Sequence, residues 1–530
     1  MQRNAIRIGI RSRSPIALPR GLRSRVCNDE MSLLLRYAPI PAVIILFLWL
    51  TGTTTVTWPQ VFLSLLLLQI AWGAWVGWKL KPAENRDFPV FASIAAMFWM
   101  AYGLPLYWSL PQSWRFSGGY VTQHGVIRAQ ALALLGITAI YAGMHVGFGK
   151  NLRRARTLEV RSTGGSVKYL VILLALGSVL RLRPESVFAL GTSFRQVLII
   201  LFTVVPMVAY AVLLRRSLMR PVPFYERALL VVYVVGTFLA GLSTGWVGTG
   251  ASIIVVTGCV LIDARKSIPK LALVGVFAYI LFLQPAKEQF REIYWYGSSN
   301  ATDVSRAVDW LSMSQNIWES ELSSSDSAGM RHHIYGVINR FSLLQQTANV
   351  LDLTPELVPY QGWKMYTYMA TALIPRAIWP DKPTVNQANR LYQVVYGITP
   401  ERALDGVSIS VGVLTESYIS FGWLGAVVVM TFIGIVLDCF GSLMLSCHSG
   451  TLSKGIGFAL LPGFVILESQ MSQYLGGLVQ SVALSVVVLL PIAQITGGRL
   501  LASRWRRSAI RKPPMMHTPP TNRRPVFVGK

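Results

Sequence analysis

The stretch QVFLSLLLLQIAWGAWVGW, residues 60–78, contains no charged side chain. A helix of that length spans about 30 Å, the thickness of a bilayer's hydrocarbon core. Similar apolar runs lie near 35–52, 89–109, 127–147, 167–181, 196–214, 228–244, 248–262, 269–284, 424–445, 455–471 and 475–497. They predict an all-α, polytopic integral membrane protein with about twelve transmembrane helices and one large extracytoplasmic loop. The fifth run is short: Tyr169 to Leu180 is followed at once by Arg181 and Arg183, which fits a tilted, re-entrant or thinned span. Composition agrees. Of 530 residues, 53% are hydrophobic and 14% charged, with a mean hydropathy of +0.47 and 16 tryptophans. A soluble domain carries about 25% charged residues. Soluble enzyme, disordered tail and fibrous repeat are thereby disfavoured.

The formal charge of +26 invites a nucleic-acid reading, and the position of the charge answers it. With the N-terminus inside, most of the 49 lysines and arginines fall in inner segments: 1–36, 79–88, 149–168, 215–227, 263–270, 446–454 and 499–530. That is the positive-inside pattern, so both termini are expected on the cytoplasmic side. The excess charge then serves topology and headgroup attraction, and no nucleic-acid partner is expected. The chain divides into a basic N-terminal arm (1–34), a nine-helix membrane region (35–284), a large outer loop with interfacial helices (285–423), three C-terminal spans (424–498) and a basic disordered tail (499–530). The arm, acid-free until Asp29, reads as a cytoplasmic extension, a transit-like segment, or the product of a start site placed too early, with Met31 the true beginning. Four cysteines, Cys27, Cys259, Cys439 and Cys447, have no metal-ligand spacing and none lies in the outer loop, so no disulfide is expected there.

Chemistry is expected in residues 285–423. The loop opens with Pro285, Lys287, Arg291 and Trp295; on a helix, Lys287 and Arg291 share one face and present two cations, suited to a diphosphate or to capping a span end. Residues 339–348 look helical, with Arg340 at the start. The string Pro375-Arg376-Ala377-Ile378-Trp379-Pro380-Asp381-Lys382-Pro383 forms a stiff turn presenting Arg376, Asp381 and Lys382, either as a preorganised charged site or as a rigid interfacial corner. At the entry to the tenth span, Glu416 is a lone carboxylate in an apolar segment, suited to proton transfer or to pairing with a buried arginine. Arg181, Arg183 and Arg195 make a short outer loop unusually cationic, a second candidate for phosphate or glycan binding. The loop's tryptophans and tyrosines suit sugar stacking or anchoring at headgroup level. His332 and His333 are further candidates for a base. The pairs Gly73/Gly77 and Gly241/Gly245 suit helix packing.

The order Pro285-x-Lys287…Arg291…Trp295, Arg340, Gly362…Tyr366…Ile374-Pro375-Arg376…Trp379-Pro380-Asp381-Lys382-Pro383, then Gly412…Glu416-x-Tyr418…Phe421-Gly422…Gly425, resembles the Wzy-type polymerases of O-antigen and exopolysaccharide repeat units. The likeness covers roughly residues 285–445, and the Pro-Arg-x-x-Trp-Pro-Asp-Lys-Pro string is its specific part. The resemblance implies a glycosyltransferase of the bacterial inner membrane, acting on its outer face without metal or other cofactor. Its substrate would be a polyprenyl-diphosphate-linked oligosaccharide, and its partners the lipid bilayer, a chain-length regulator and a flippase. The catalytic assignment would fall on Glu416, Arg376 and Asp381. Lys287, Arg291, Arg340 and Lys382 would clamp the diphosphate, with Arg181, Arg183 and Arg195 as a second anion site. An Arg-x15-Gly spacing, Arg390 to Gly406, also occurs but is expected by chance among 44 glycines.

Three other functions compete. A GT-C glycosyltransferase usually carries an acidic pair in its first outer loop, and residues 51–60 contain no acid. An O-antigen-type ligase would share the clamp chemistry. A transporter or lipid-linked oligosaccharide flippase would suit internal repeats and midplane charges; the two halves do not resemble each other, and only Asp438 and Glu468 fall within expected spans.

Overall fold

A computed structural model describes residues 39–52, 56–108, 115–116, 119–152, 157–181, 197–198, 200–267, 269–297, 301–323, 327–374, 379, 381–383, 386–401, 404, 409, 411–465 and 468–496. The N-terminal arm, the C-terminal tail, Cys27, Arg183, Arg195 and Arg376 lie outside them. The protein is a mostly helical membrane protein. Every expected span coincides with an apolar helix, and among the described residues seven helices are long and apolar enough to cross a membrane.

In chain order the helices are α1 (Ile40–Thr51), α2 (Trp58–Leu80), α3 (Val90–Tyr102), α4 (Gln123–His145), α5 (Gly164–Arg181), α6 (Val205–Met219, preceded by a π turn), α7 (Phe224–Thr244), α8 (Val247–Arg265) and α9 (Lys270–Leu283). The loop region holds α10 (Lys287–Tyr294), α11 (Asp303–Ser323), α12 (Ser327–Phe341), α13 (Leu344–Leu353), α14 (Lys364–Leu373) and α15 (Gln387–Val395). The chain then forms α16 (Gly412–Met444), α17 (Thr451–Val465) and α18 (Met471–Leu489). The long ones are α2, α4, α6 with its π turn, α7, α8, α16 and α18. Helices α1, α3, α5, α9 and α17 are shorter apolar helices.

The all-α class holds, with two short ladders beside the helices: β1 (Arg115–Phe116) pairs with β2 (Gly119–Tyr120), and β3 (Thr157–Val160) pairs antiparallel with β4 (Ala493–Thr496). Three expectations need correction. The twelfth apolar run stops being α-helical at Leu489, where Pro491 removes a backbone donor, and its last residues become β4. The tenth helix starts at Gly412 rather than at 424. Gly422 is not its beginning but a break within it, with φ 68° and ψ −156°, so residues 412–420 form a buried segment ahead of the expected span. Finally, residues 339–348 are not one helix. Arg340 lies in the last turn of α12, which ends at Phe341, Leu343 N–H donates to the carbonyl of Ala101, and α13 begins afresh.

Helices α4 and α16 lie backbone to backbone. A Cβ on Gly143 would sit 2.1 Å from the carbonyl oxygen of Thr431, and one on Gly434 would sit 2.2 Å from that of Ile140. Only glycine permits that approach, which replaces the weak hydrophobic drive between helices in lipid with close packing. The packing role expected of Gly73 and Gly77 is not found: a Cβ at either meets nothing within 4 Å. Gly245, at φ 74°, caps α7 and turns the chain directly into α8.

The connecting segments gather at two ends. At one, Asp87 Oδ1 accepts from Cys447 N–H at 2.7 Å, Glu159 Oε2 from Thr451 N–H at 2.9 Å, and Asp263 binds Lys454, Lys266 and Arg215. At the other, Thr122 caps α4 and bonds Asp352 at 2.9 Å, Trp295 Nε1 donates to Thr244 O, and Arg340 meets Glu468. Segments assigned by charge to one side of the membrane meet only their own group in these contacts.

Candidate functional site

Helix α10 begins directly after the chain leaves α9 at Pro285. Its Phe290 is buried and stacks on Trp310 at 4.9 Å, which fixes the helix against α11. The period of the helix then carries Lys287 and Arg291 along the same side as Phe290. Arg291 lies over the Trp295 ring at 4.1 Å and the Trp246 ring at 5.8 Å, so two indoles hold the guanidinium at the α7–α8 turn. Arg340, from the last turn of α12, joins this pair. Burial, then the charges of Arg291 and Arg340, push the Lys287 ammonium down to about 8 from the usual lysine value. The structure thus brings together Lys287 and Arg291 of α10 with Arg340 of α12.

Glu468 completes the cluster. It was expected inside the eleventh span, but α17, carrying Pro462, ends at Val465, and Glu468 lies in the connection to α18. Its Oε1 accepts from Arg340 Nη1 at 2.5 Å.

The same connection leads to Glu416. Gln470 precedes α18 without capping it through its side chain, and Glu416 Oε2 instead accepts the N–H of Met471, the first residue of α18, at 2.6 Å. The carboxylate therefore serves as a helix cap from another helix, where the dipole favours negative charge. Glu416 is fully buried, and its other oxygen, Oε1, has no hydrogen-bond partner among the described residues. Tyr366 on α14 is close enough for the two groups to interact electrostatically, and its hydroxyl is also buried without a partner. The side chain of Gln470, beside Met471, and the hydroxyl of Ser420, one turn beyond Glu416, are in the same condition. Buried polar atoms are rarely left so, and a cluster of them fits a hydroxyl-rich ligand. Beside this group stand Phe421, stacked on Tyr366 at 5.7 Å, and Trp363, edge-on to Phe421 at 5.0 Å and largely exposed.

Lys382 contacts α14. Lys382 Nζ donates to the carbonyls of Thr371 and Ile374, at 3.1 and 2.5 Å, and so closes the C-terminal end of α14. Asp381 is exposed. Arg181 is the last residue of α5, and Arg376 is not among the described residues. His333 Nε2 lies 3.5 Å from Glu321, within the α11–α12 pair. Sequence reasoning missed Gln470, and it placed Tyr366 among the sugar-stacking aromatics and in the Wzy-like motif rather than beside Glu416. It also missed Arg128 on α4, whose guanidinium bonds Leu351 O at 2.8 Å and the Tyr418 hydroxyl at 3.3 Å. The four-residue spacing of Glu416 and Ser420, which puts both on one helix face, was a local signal, whereas Arg128 lies far from them in sequence.

A family model described as "Domain of unknown function (DUF8712)" matches residues 90–450. The chain belongs to the DUF8712 family. The DUF8712 region runs from the start of α3 past the end of α16 and contains Arg128, Lys287, Arg291, Arg340, Tyr366 and Glu416. Glu468 and Met471, which join the cations to Glu416, follow it. No curated protein and no solved structure matches the chain.

Proposed function

We propose that this chain is a polymerase of polyprenyl-diphosphate-linked oligosaccharide repeat units, working on the outer face of a bacterial inner membrane. The observation that carries the reading is the connection at 468–471: Glu468 holds Arg340 of the cation cluster, and three residues later Met471 holds Glu416. Three residues span at most about 11 Å, so anion-binding and proton-accepting groups share one short segment. A glycosyl transfer with a diphosphate leaving group needs both. The cations Lys287, Arg291 and Arg340 stabilise the charge that develops as the sugar C1–oxygen bond to phosphate breaks. Glu416 takes the proton of the attacking hydroxyl of the acceptor sugar as the new C1–oxygen bond forms. Tyr366, Gln470 and Ser420 orient that hydroxyl with hydrogen bonds made only when substrate is present. Lys382 closes the end of α14, the helix that carries Tyr366, and Arg376 and Asp381 remain catalytic candidates by the resemblance alone.

In this reading the twelve apolar helices all span the bilayer, the end bearing Thr122, Glu468 and the α10–α15 loop is outer, and both termini are cytoplasmic. The bilayer supplies the lipid-linked donor and acceptor, and a flippase and chain-length regulator act beside it. The test is the size of lipid-linked glycan in a deletion strain. Single repeat units there, with long chains restored by the intact gene, support the proposal; undelivered long chains identify a ligase, and precursors held on the inner leaflet identify a flippase.

A further inference from the structure

A groove of about 820 Å³ runs between α2, α4 and α16 with α3 at its base, at the opposite end of α16 from Glu416. Asp438 at its mouth lies about 33 Å beyond Glu416 along the helical path, so the groove is separate from the group around Glu416. Its size falls within the range of small-molecule sites. Along α2 its wall is Gly73, Ala74 and Gly77, and a Cβ on either glycine would meet nothing within 4 Å. The glycines therefore hold open a channel that no other described part of the protein fills. Phe91 and Tyr141 supply further apolar wall.

The mouth carries both signs of charge. Lys81 is exposed there, and the His145 ring stacks on Tyr141 at 4.0 Å. Asp438 also lines the groove, its Oδ2 accepting from Gly149 N–H at 2.7 Å and its Oδ1 from Ser442 Oγ at 3.5 Å, while the other lining acid, Asp87, is engaged by Cys447 N–H. Arg86, the next cation, is committed to the carbonyls of Lys79, Lys81 and Lys266 and is not part of the mouth.

We infer that this groove is a binding site for one zwitterionic aminophospholipid, with an acyl chain along Gly73 and Gly77, the phosphate at Lys81 and His145, and the ammonium at Asp438. Apolar space beside lipid is filled by hydrocarbon because an unfilled wall forfeits its dispersion contacts. Paired opposite charges at the mouth match a headgroup that carries both. A helix of a second copy would fit the glycines but would leave Lys81 and Asp438 without that complement.

The test uses the full chain, purified in mild detergent from a host membrane containing both ethanolamine and glycerol phospholipids. Bound lipid is extracted and counted by mass spectrometry. About one ethanolamine phospholipid per chain is expected to survive purification. Gly73→Leu with Gly77→Leu projects into open space and favours helix, so the variant folds; retained lipid should fall about tenfold with no drop in melting temperature. Lys81→Ala should abolish the preference for ethanolamine over glycerol headgroups. Unchanged lipid in the leucine variant overturns the proposal, as does selective recovery of an anionic lipid or a polyprenyl carrier. So does a wild-type dimer that the leucine variant converts to monomer. None of these outcomes depends on glycan synthesis.

Discussion

Glu416 Oε2 accepts the backbone N–H of Met471 at 2.6 Å, so this carboxylate of α16 caps α18 while its second oxygen has no partner among the described residues. The two oxygens separate the structural role from the chemical one. In Glu416→Gln the amide oxygen can still accept from Met471, and the fold is expected to persist. Under the proposed mechanism that change removes the base, and glycan polymerisation should fall by about a hundredfold or more. Membrane-fraction immunoblotting alongside glycan gels checks this; normal chain length in a well-expressed Glu416→Gln removes the base assignment.

The Arg340–Glu468 pair predicts a different pattern. Both side chains are substantially exposed, 45% and 29%, and such a pair contributes less than about 1 kcal/mol. Glu468→Gln should therefore leave the melting temperature nearly unchanged while freeing Arg340, and binding of a diphosphate-bearing probe should tighten. Arg340→Ala should weaken it by about tenfold. Equilibrium binding in detergent measures both, and opposite signs for the two variants are the expected result.

Lys287 gives a pH dependence. Burial, with Arg291 and Arg340 adding to it, brings its ammonium down to about 8, so it is a cation at neutral pH and loses its charge as pH rises through that value. Diphosphate affinity should thus fall between pH 7 and pH 9 by several-fold. Lys287→Arg keeps the charge throughout and should flatten the profile. A wild-type affinity that is constant over this range contradicts the placement of Lys287 in the anion site.

Gly434→Ala tests the packing of α4 on α16. The added Cβ would meet the Ile140 carbonyl at 2.2 Å, a backbone contact that no rotamer relieves. A loss of about 1–3 kcal/mol is expected. A lower melting temperature is the readout, with Gly73→Leu as the neutral control.

The apolar runs made the helices legible because hydropathy over some twenty residues is a strong signal. Lys287 and Arg291 were readable as one cationic face because helical spacing alone decides it. Glu416 stood out as a lone acid. The sequence could not show that Arg340 and Glu468 meet, since the pairing crosses most of the outer loop and two helices. Nor could it show that α16 begins at Gly412. The buried segment 412–420 contacts protein rather than lipid, so its serines and threonines lower hydropathy without ending the helix. The glycines that matter for packing, Gly143 and Gly434, sit in different helices and form no local motif. Gly73 and Gly77 form such a motif, yet they face open space.

The central claim is that Glu416 and the Lys287–Arg291–Arg340 cluster together join lipid-linked repeat units. The most direct measurement is the length of lipid-linked glycan in a deletion strain carrying the intact gene, Glu416→Gln, or no gene. Long chains with the intact gene and single repeat units in the other two are predicted. Long chains without the gene would contradict the account.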